Sequence, residues 1–599
     1  MASTLPINAS LLSSGLLNNP DGQFLFTSSA ITYQGATVYD PSQDPDVLQS
    51  TGGGVSPSGP IQVQEGATIT SPGSPEGVGG KIALLAPQID NEGTLSAPDG
   101  QVILAAGQQV GFEAHPSTDP TLRGLDVAVG AGESTDVAQN GLTGYIYAPE
   151  ADVTMTGYNV NQLGEIDSVT SVSLNGRIDL LAVNNLVPVY NSTDNAYVPT
   201  VVVGTTDVGT VTLGDNSLTE ILPDYSSMET AVGNSLALPS QVYIEGGTFH
   251  MGNGAQLIAP NAVATLSLGI LNSAIATTSG ESANGTIPVP ENTGPVFSAV
   301  YLPTSGRVEL DSGANFDVSG SSDVQASVSE NIVSAQLTEA VLENSSLQET
   351  GPLRGATVQV DISLTGTSSD GSTWYGSPIG DLSGYANLVE HTVGELTIAG
   401  GSVAINTNGS VDLEPTSTIN VSGGSIDYQG ATVETTKVVT TNGQILDISQ
   451  ATPNQLYQGV ETGFTVSSSK WGTSQTYTNP FASGSYYDAG YVQGGSGGSL
   501  AINTPAATLG GALYGNTTMG PRQQLAPPTA SSFGLTITAP GTGAGNPPVV
   551  DVIIQPATDV QSDPNAIYLS PDLFATDGFG NSTINTGSGD ITVASDAVI

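Results

Sequence analysis

The chain repeats a short phrase in which apolar and polar residues alternate in two runs separated by a turn. In the copy from Gly409 to Gly423, Val411 and Leu413 mark the first run and Ile419 and Val421 mark the second. Alternation at period two sends one row of side chains inward and the next row to solvent. Further copies lie far apart in the sequence, at 59–73, 247–261 and 306–320.

Each phrase therefore predicts two short β-strands joined at a corner. The Gly, Asn, Asp and Pro residues between the runs supply the backbone angles that sharp corners need. We expect the inward row to be buried, at Val308, Leu310, Val411, Leu413 and Ile419. We expect the outward row to be exposed, at Glu309, Asp412 and Asn420.

A single phrase cannot bury its own apolar row, so its copies must stack. The predicted fold is all-β: a parallel β-helix (β-solenoid) with loop insertions. At ~20–25 residues per turn and about 4.8 Å between stacked strands, we expect a rod of roughly 80 Å or more. The 75 glycines and the low charged fraction, 11%, disfavour a helical protein. Hydrophobic residues make up 38% of the chain, and their alternating pattern disfavours disorder.

The spacing of the phrases divides the chain into turn-forming and inserted segments. Residues 326–350 have apolar residues near helical spacing and a Gly-Pro stop, so they are either a helix or an irregular strand. The predicted segments are an irregular lead-in at 1–58, β-helix turns at 59–182, an insertion at 183–240, turns at 241–320, an insertion with a possible helix at 321–393, turns at 394–428, an aromatic-rich insertion at 429–496, and turns and loops at 497–599.

The net charge of the chain disfavours some classes of binding partner. Eight Lys and Arg against 55 Asp and Glu give a net charge of −47, which disfavours binding to nucleic acid and to anionic membrane surfaces. The sequence has no cysteine, which is neutral or mildly favourable for a secreted chain. It has neither an N-terminal signal peptide nor an apolar run of ~18 residues that could span a membrane.

An enzyme is the main alternative, because glycoside hydrolysis needs only two well-placed carboxylates. Acids such as Asp179 and Asp361 lie in no clustered motif, and we expect them to be solvated. His115, His250 and His391 are far apart and have no second ligand at zinc spacing. His250, between Phe249 and Met251, should face solvent. We predict no catalytic residue, no cofactor and no metal ligand.

Aromatic residues in the insertions are the remaining candidates for binding. Aromatic side chains on loops can stack on sugars or anchor an interface. The other interpretation, which we favour, is that they fix the insertions onto the wall of the β-helix. The candidates are Trp374, Tyr375, Trp471, Tyr486 and Tyr487.

A further set of segments comprises residues 79–110, 160–182, 351–362, 381–403 and 467–502 and Gly520–Gln523 (GPRQ). These segments resemble the filamentous haemagglutinin-type exoproteins of two-partner secretion systems. Most of these segments are not turn phrases, so periodicity does not account for them. The signal peptide and the first part of the family's secretion domain are missing, and Asn19-Pro20-Asp21-Gly22 differs by one residue from the family's Asn-Pro-Asn-Gly motif.

The resemblance implies a right-handed β-helical filament of a Gram-negative bacterium, extracellular or on the cell surface in association with the outer membrane. Its implied partners are an outer-membrane two-partner secretion pore and host-cell or surface glycans or proteins. We therefore expect a segment of a surface adhesin, with a β-helical polysaccharide hydrolase or lyase as the alternative. Because 589–599 begins the phrase again without completing it, we also expect an uncovered apolar row at Ile591, Val593, Ala597 and Ile599.

Overall fold

The computed structural model describes residues 1–5, 59–73, 79–114, 123–130, 134–183, 209–271, 306–369, 371–461, 485–540, 546–559, 561 and 563–599. It also gives the backbone of the strands Phe24–Thr27, Ile31–Tyr33, Ala36–Tyr39, Leu186–Asn191, Ala196–Val201, Val300–Tyr301, Phe464–Ser468 and Thr473–Tyr477. The described chain is mostly β-strand with a few short helical turns. Each helix within these ranges is too short or too polar to cross a membrane.

Three long parallel sheets form the body of the molecule. Sheet one has eleven strands, all paired in parallel: Ala2–Ser3, Lys81–Ala86, Gln101–Ala106, Asp152–Thr156, Arg177–Leu181, Gln241–Gly246, Val263–Leu268, Ser402–Thr407, Ser499–Thr504, Ser532–Ile537 and Asn581–Asn585.

Sheets two and three have nine strands each. Sheet two contains Ile61–Val63, Gln88–Asn91, Val137–Asn140, Asn159–Gln162, Thr210–Leu213, Thr248–Met251, Arg307–Leu310, Ser410–Leu413 and Ala506–Leu509. Sheet three contains Thr68–Thr70, Thr94–Ser96, Tyr145–Pro149, Glu165–Thr170, Leu218–Pro223, Gln256–Ile258, Asn315–Asp317, Thr418–Asn420 and Ala512–Tyr514.

The chain visits the three sheets in turn, so it forms a solenoid-like stack. Lys81 pairs with Gln101 in sheet one, after one passage through sheets two and three. Within each of these three sheets the strands lie in the order of the chain. The predicted all-β solenoid-like architecture of stacked parallel strands is therefore present in the structure.

The predicted inward row forms the core of this stack. The five residues expected inside are each no more than 2% exposed: Val308, Leu310, Val411, Leu413 and Ile419. They belong to one continuous apolar cluster that runs along the solenoid from Val63 to Phe579. The direction of alternation is as predicted.

The outward row is more covered than we expected. Glu309, Asp412 and Asn420 are half-buried rather than exposed. Stacking explains the difference, because each outward side chain lies between those of the strands on either side. Glu309, for example, is flanked by His250 and Asp412.

The corner between sheets two and three has a left-handed backbone in several turns. The phrase usually places glycine or asparagine there, and Gly66, Asn216, Gly254 and Gly313 have φ between 58° and 79°. These residue types adopt positive φ at little steric cost. Thr416 has φ of 71° at the same corner, although a β-branched residue is disfavoured there.

A second layer covers the outside of sheet one near its start. The strands Gln109–Ala114 and Leu125–Gly130 pair antiparallel, within a five-stranded sheet that also includes Phe24–Thr27, Leu186–Asn191 and Ala196–Val201. A separate apolar cluster lies between this layer and sheet one, and it includes Leu85, Ile103 and Phe112. Because both faces of sheet one are covered here, Gln101–Ala106 is buried at every position.

The two later insertions combine into one side lobe, defined here as residues 324–397, 425–461 and 485–494. Apolar residues from 335–389 and from 438–457 share a core of their own. Its strands pair as Ser425–Gln429 with Val324–Ser327 and Tyr491–Gly494; Ile332–Gln336 with Thr357–Asp361; Thr365–Thr367 with Thr373–Tyr375; Ala431–Glu434 with Ser485–Asp488; and Lys437–Thr440 with Ile445–Asp447 and Tyr457–Val460.

Residues 326–350 do not form the long helix that helical spacing allowed. Val328–Asn331 is a 3₁₀ turn, Ile332–Gln336 is a strand, and only Ser346–Glu349 is α-helical. The apolar residues of this segment pack as an irregular strand into the side-lobe core. The other short helical segments are Ser383–Ala386, Val393–Leu396, Ile448–Gln450 and Pro571–Phe574.

The stack formed by the described strands is shorter than the predicted rod. Eleven strands in sheet one are separated by ten spacings of about 4.8 Å, which makes about 50 Å along the stack. The side lobe accounts for the difference, because it takes up chain that would otherwise add turns. Val263 pairs directly with Ser402, so the first part of the side lobe is inserted within a single turn of the solenoid.

The remaining described strands form short sheets at the margins. Thr230–Val232 pairs with Glu390–Thr392, Ile270–Leu271 with Val300–Tyr301, Ile31–Tyr33 with Ala36–Tyr39, Phe464–Ser468 with Thr473–Tyr477, and Val552–Ile554 with Ile567–Leu569 and Ile591–Val593.

Candidate functional site

The predicted aromatic candidates occupy two places on the side lobe. Trp374 and Tyr375 lie on the hairpin strand Thr373–Tyr375, and both are half-buried. The Trp374 ring covers Gly366 of the paired strand, where an added Cβ would approach the ring to 2.2 Å. This tryptophan therefore packs against its own hairpin, in line with a structural role. Trp471 lies outside the described residues.

Tyr486 and Tyr487 are neighbours on the strand Ser485–Asp488, so their side chains point to opposite sides. Tyr486 is half-buried, with the Lys437 ammonium 6.0 Å from its ring centre. Burial, aided by nearby carboxylates, raises the pKa of Tyr486 to about 12. Tyr487 is 70% exposed. Of the described candidates, Tyr487 is the most accessible to a partner.

A buried polar clasp fastens the side lobe, and Arg522 is at its centre. Its guanidinium donates to Asp488 (2.5 Å) and to Ser363 (2.6 Å), and it lies 3.7 Å from the Asp361 carboxylate. It also lies 4.0 Å from the centre of the Tyr491 ring. Arg522 belongs to the GPRQ segment, so this segment links three distant parts of the chain.

The expectation that Asp179 and Asp361 are solvated is wrong. Asp361 is 1% exposed within the clasp, and burial raises the pKa of its carboxyl. Asp179 is 6% exposed, and its carboxylate lies 2.9 Å from Arg177. The covering layer on sheet one and the side lobe bury positions that strand alternation alone would leave outside.

His250 lies on the outward side of its strand, as the alternation predicts. Phe249 and Met251 are fully buried, and His250 between them is partly exposed, with its ring nitrogen 3.0 Å from Asp311. His391 lies 3.2 Å from Glu395. His115 lies outside the described residues.

A pocket of about 420 Å³ opens between the side lobe and the loop that follows the strand Leu218–Pro223. One wall comes from residues 228–230, and the others come from the side lobe. The strands Thr230–Val232 and Glu390–Thr392 pair antiparallel at this junction. The pocket is lined by Met228, Thr230, Glu330, Val333, Leu388, Val389, Glu390, Thr392 and Glu395.

Three glutamates make this pocket acidic, and local hydrogen bonds fix each of them. Glu330 accepts from the backbone N–H of Ser327, which caps a 3₁₀ turn. Glu395 accepts from the backbone N–H and hydroxyl of Thr392, at 2.8 Å each, in a capping box. Glu390 accepts from the Thr230 hydroxyl at 2.8 Å.

The carboxyls of Glu330 and Glu395 differ in acidity although they interact. Burial and the nearby Glu395 carboxyl raise the pKa of Glu330. Burial alone would raise the pKa of Glu395, but hydrogen bonds from His391 and Thr392 outweigh it and lower that pKa. Glu395 is therefore the group that holds its negative charge more strongly.

A second acidic group lies on the outer face of sheet three. Glu165, Asp167 and Glu220 place one carboxylate oxygen each within 4.8 Å of one another, so they could coordinate a cation. The Tyr145 hydroxyl donates to Asp167 at 3.0 Å. Burial raises the pKa of both Asp167 and Glu220.

Sequence reasoning missed both acidic groups. The pair Glu165 and Asp167 on one strand was a visible signal, since residues two apart share a face. The third member, Glu220, joins them only through the register of the next turn. The pocket brings together residues near 228, 330 and 390, and no local pattern in the sequence connects them.

The comparisons with known proteins assign no relative. No protein-family model, no curated protein and no solved structure matches the chain. The resemblance to filamentous haemagglutinin-type exoproteins therefore stays a prediction.

Proposed function

We propose that this chain is a segment of a large surface-exposed adhesin of the filamentous haemagglutinin type. In this proposal the solenoid is a right-handed parallel β-helix that serves as a shaft. Export through an outer-membrane two-partner secretion pore places it outside the cell, where it attaches to cells or surfaces. Its ligands there are host-cell or surface glycans or proteins.

The observation that carries the proposal is the side lobe on the shaft. A stack of parallel strands with a continuous core is a stiff support. The side lobe has a separate core, and it presents Leu388, Leu456 and Tyr487 with at least half of each side chain exposed. Exposed apolar and aromatic side chains on a fixed lobe suit adhesion.

A bead-attachment assay tests this proposal. Beads coated with the protein should attach to epithelial cells more than uncoated beads do, and Tyr487→Ser should reduce attachment several-fold. Tyr514→Ser is the matched control, because Tyr514 is 36% exposed on sheet three, outside the side lobe. Attachment no greater than that of uncoated beads would contradict the adhesin proposal. Equal losses from both substitutions would contradict the role of the side lobe.

The acidic group on sheet three supports the second candidate, a β-helical polysaccharide hydrolase or lyase. Tyr145 and Tyr147, which stack at 6.1 Å between ring centres, could hold a sugar beside Asp167 and Glu220. However, hydrolysis requires carboxyl groups roughly 5–9.5 Å apart, and oxygens of this group lie closer together. Loss of reducing-sugar release from polysaccharides in Asp167→Asn, with release by the unsubstituted protein, would favour this candidate.

A further inference from the structure

The pocket at the junction of the side lobe and the shaft has the volume of a ligand site and is open to solvent. Its volume of about 420 Å³ lies within the ~300–1,000 Å³ range that ligand pockets usually occupy. Such pockets are common where two structural units meet. Here the side lobe supplies most of the lining, and the loop at 228–230 closes one side.

Uncovered apolar side chains surround the mouth of the pocket. Met228 is 88% exposed and Leu388 is 60% exposed, although both line the cavity. Val232, on the strand beside it, is 53% exposed. Exposed apolar side chains grouped within a polar rim mark interaction sites more often than ordinary surface.

The charge of the pocket selects the chemistry of its occupant. Three glutamates line it, and no lysine or arginine is among its described lining residues. An anionic ligand would meet like charges. Because Glu330 and Glu390 are partly exposed, their carboxylates are accessible to a cation that enters from solvent.

A bare metal ion fits this geometry less well than an organic cation. Calcium and magnesium need several oxygens converging at about 2.0–2.6 Å. Among the described residues only Glu165, Asp167 and Glu220 converge closely enough, and they are elsewhere on sheet three. The pocket instead combines carboxylates with an apolar wall, which matches an ammonium group at the end of an aliphatic chain.

We propose that this pocket binds a lysine side chain of a partner polypeptide, with apolar residues on either side of that lysine. The ammonium group lies against Glu330 and Glu390. The aliphatic stem and the flanking apolar side chains cover Met228 and Leu388. Glu395, held in its capping box, adds negative charge at the back of the site. This inference is independent of the proposed attachment to surfaces, because it concerns only a polypeptide segment in which apolar residues flank a lysine.

Methyl NMR on the full chain tests the proposal, because the sequence has only five methionines and Met228 lines the pocket. The probe is the peptide acetyl-Leu-Lys-Leu-amide, titrated into protein with labelled methionine methyls. The Met228 methyl should shift and saturate. The matched peptide with norleucine in place of lysine should bind at least tenfold more weakly, because it lacks the ammonium group. No Met228 shift at millimolar peptide would overturn the proposal.

Matched variants distinguish binding of the peptide at this pocket from non-specific attraction of a cationic peptide to an acidic protein. The double variant Glu330→Gln, Glu390→Gln should weaken binding of the lysine peptide at least fivefold, since glutamine keeps one acceptor oxygen but not the charge. Glu343→Gln, an exposed side-lobe residue, should not weaken it. Leu388→Ser should weaken binding, and Leu456→Ser, at 54% exposure, should not. Equal losses from variants and controls would overturn the proposal.

Two further outcomes are decisive. Hexylammonium chloride that binds more tightly than the peptide would overturn the assignment to a polypeptide, because it would identify a small-amine site. If the double glutamine variant fails to fold, the comparison of lysine and norleucine peptides on the unsubstituted chain decides the matter alone. Failure of bead attachment would leave these peptide results unchanged, so the two proposals can fail separately.

Discussion

At the scale of single residues, sheet two contains a column of equivalent inward-facing positions in successive strands. Three successive turns place amide side chains in this column, and later turns place leucine or methionine there. Asn140 is fully buried, accepts from the Asn91 amide at 2.8 Å and donates to the Gln162 side chain at 2.8 Å. Leucine or methionine occupies this column in the turns that follow, beginning with Leu213 and Met251. The amide ladder stabilises the early turns only while every member is paired.

Asn140→Ala should therefore lower the free energy of unfolding by about 1–3 kcal/mol, because it leaves buried amide groups of its neighbours unpaired. Replacing Asn91, Asn140 and Gln162 together by leucine should recover only part of this loss, since no side-chain amide then remains unpaired but the buried N–H of Gly93 loses its Asn91 acceptor. Gln139→Ala, at the outward position next along the strand, is the control and should cost less than ~0.5 kcal/mol. Urea unfolding monitored by circular dichroism measures all three. Equal effects of Asn140→Ala and Gln139→Ala would refute the ladder's role.

At the scale of elements, the side lobe is joined to the shaft through the Arg522 clasp. Asp361 and Asp488 are 1% and 7% exposed, so removing the guanidinium leaves two buried carboxylates without their cation. Breaking a buried ion pair from one side typically costs ~3–5 kcal/mol. The Arg522 side chain is 22% exposed, which places the expected cost near the lower end.

Arg522→Gln should accelerate hydrogen exchange in the side lobe at 324–397 and 485–494 and leave sheet one unchanged. Arg522→Lys should restore part of the protection, because lysine keeps the charge but not the planar fork. The control is Arg354→Gln, since Arg354 pairs with Glu339 and both are well exposed. Exposed pairs contribute ~0–1 kcal/mol. Side-lobe exchange that is no faster in Arg522→Gln than in Arg354→Gln would contradict the clasp.

Strand alternation was sufficient to predict the turns of the solenoid but not the side lobe. Val308, Val411 and their neighbours alternate locally, so the sequence contains the information about which side is buried. The pairing of Ala431–Glu434 with Ser485–Asp488 depends instead on contacts between distant segments. The burial of Asp361 depends on such contacts through Asp488, and the pocket depends on the pairing of Thr230–Val232 with Glu390–Thr392, so neither could be predicted from spacing.

At the scale of the whole molecule, an apolar surface near residue 599 favours self-association, and the net charge opposes it. Ile591 and Val593 are 49% exposed, and Val598 and Ile599 are 81% and 62% exposed. The equivalent phrase positions in earlier turns, such as Val411, are buried. Exposed apolar residues at a strand edge favour association, whereas a net charge of −47 opposes it.

The chain should therefore self-associate increasingly as salt rises, because the screening length falls from ~10 Å at 0.1 M to ~3 Å at 1 M. The double variant Ile591→Ser, Val593→Ser should shift this association to higher salt. Sedimentation velocity across sodium chloride concentrations measures both proteins. A chain that stays monomeric throughout would show that this surface does not drive association.

Distant phrases stack in register in this fold, and cysteine cross-linking tests that register most directly. The chain has no cysteine, so two cysteines can be introduced at chosen positions without competing thiols. Glu309 and Asp412 pair in adjacent turns of sheet two. Stacked strands are about 4.8 Å apart, which lies within the ~4.4–6.8 Å between α-carbons that a disulfide spans.

We expect the double variant Glu309→Cys, Asp412→Cys to form an intramolecular disulfide in most molecules after mild oxidation of dilute protein. The control variant Glu309→Cys, Asn420→Cys places the second thiol on sheet three and should remain largely reduced. Mass spectrometry after alkylation and digestion quantifies both. An uncross-linked 309–412 pair, or equal cross-linking of the two pairs, would contradict the stacked solenoid.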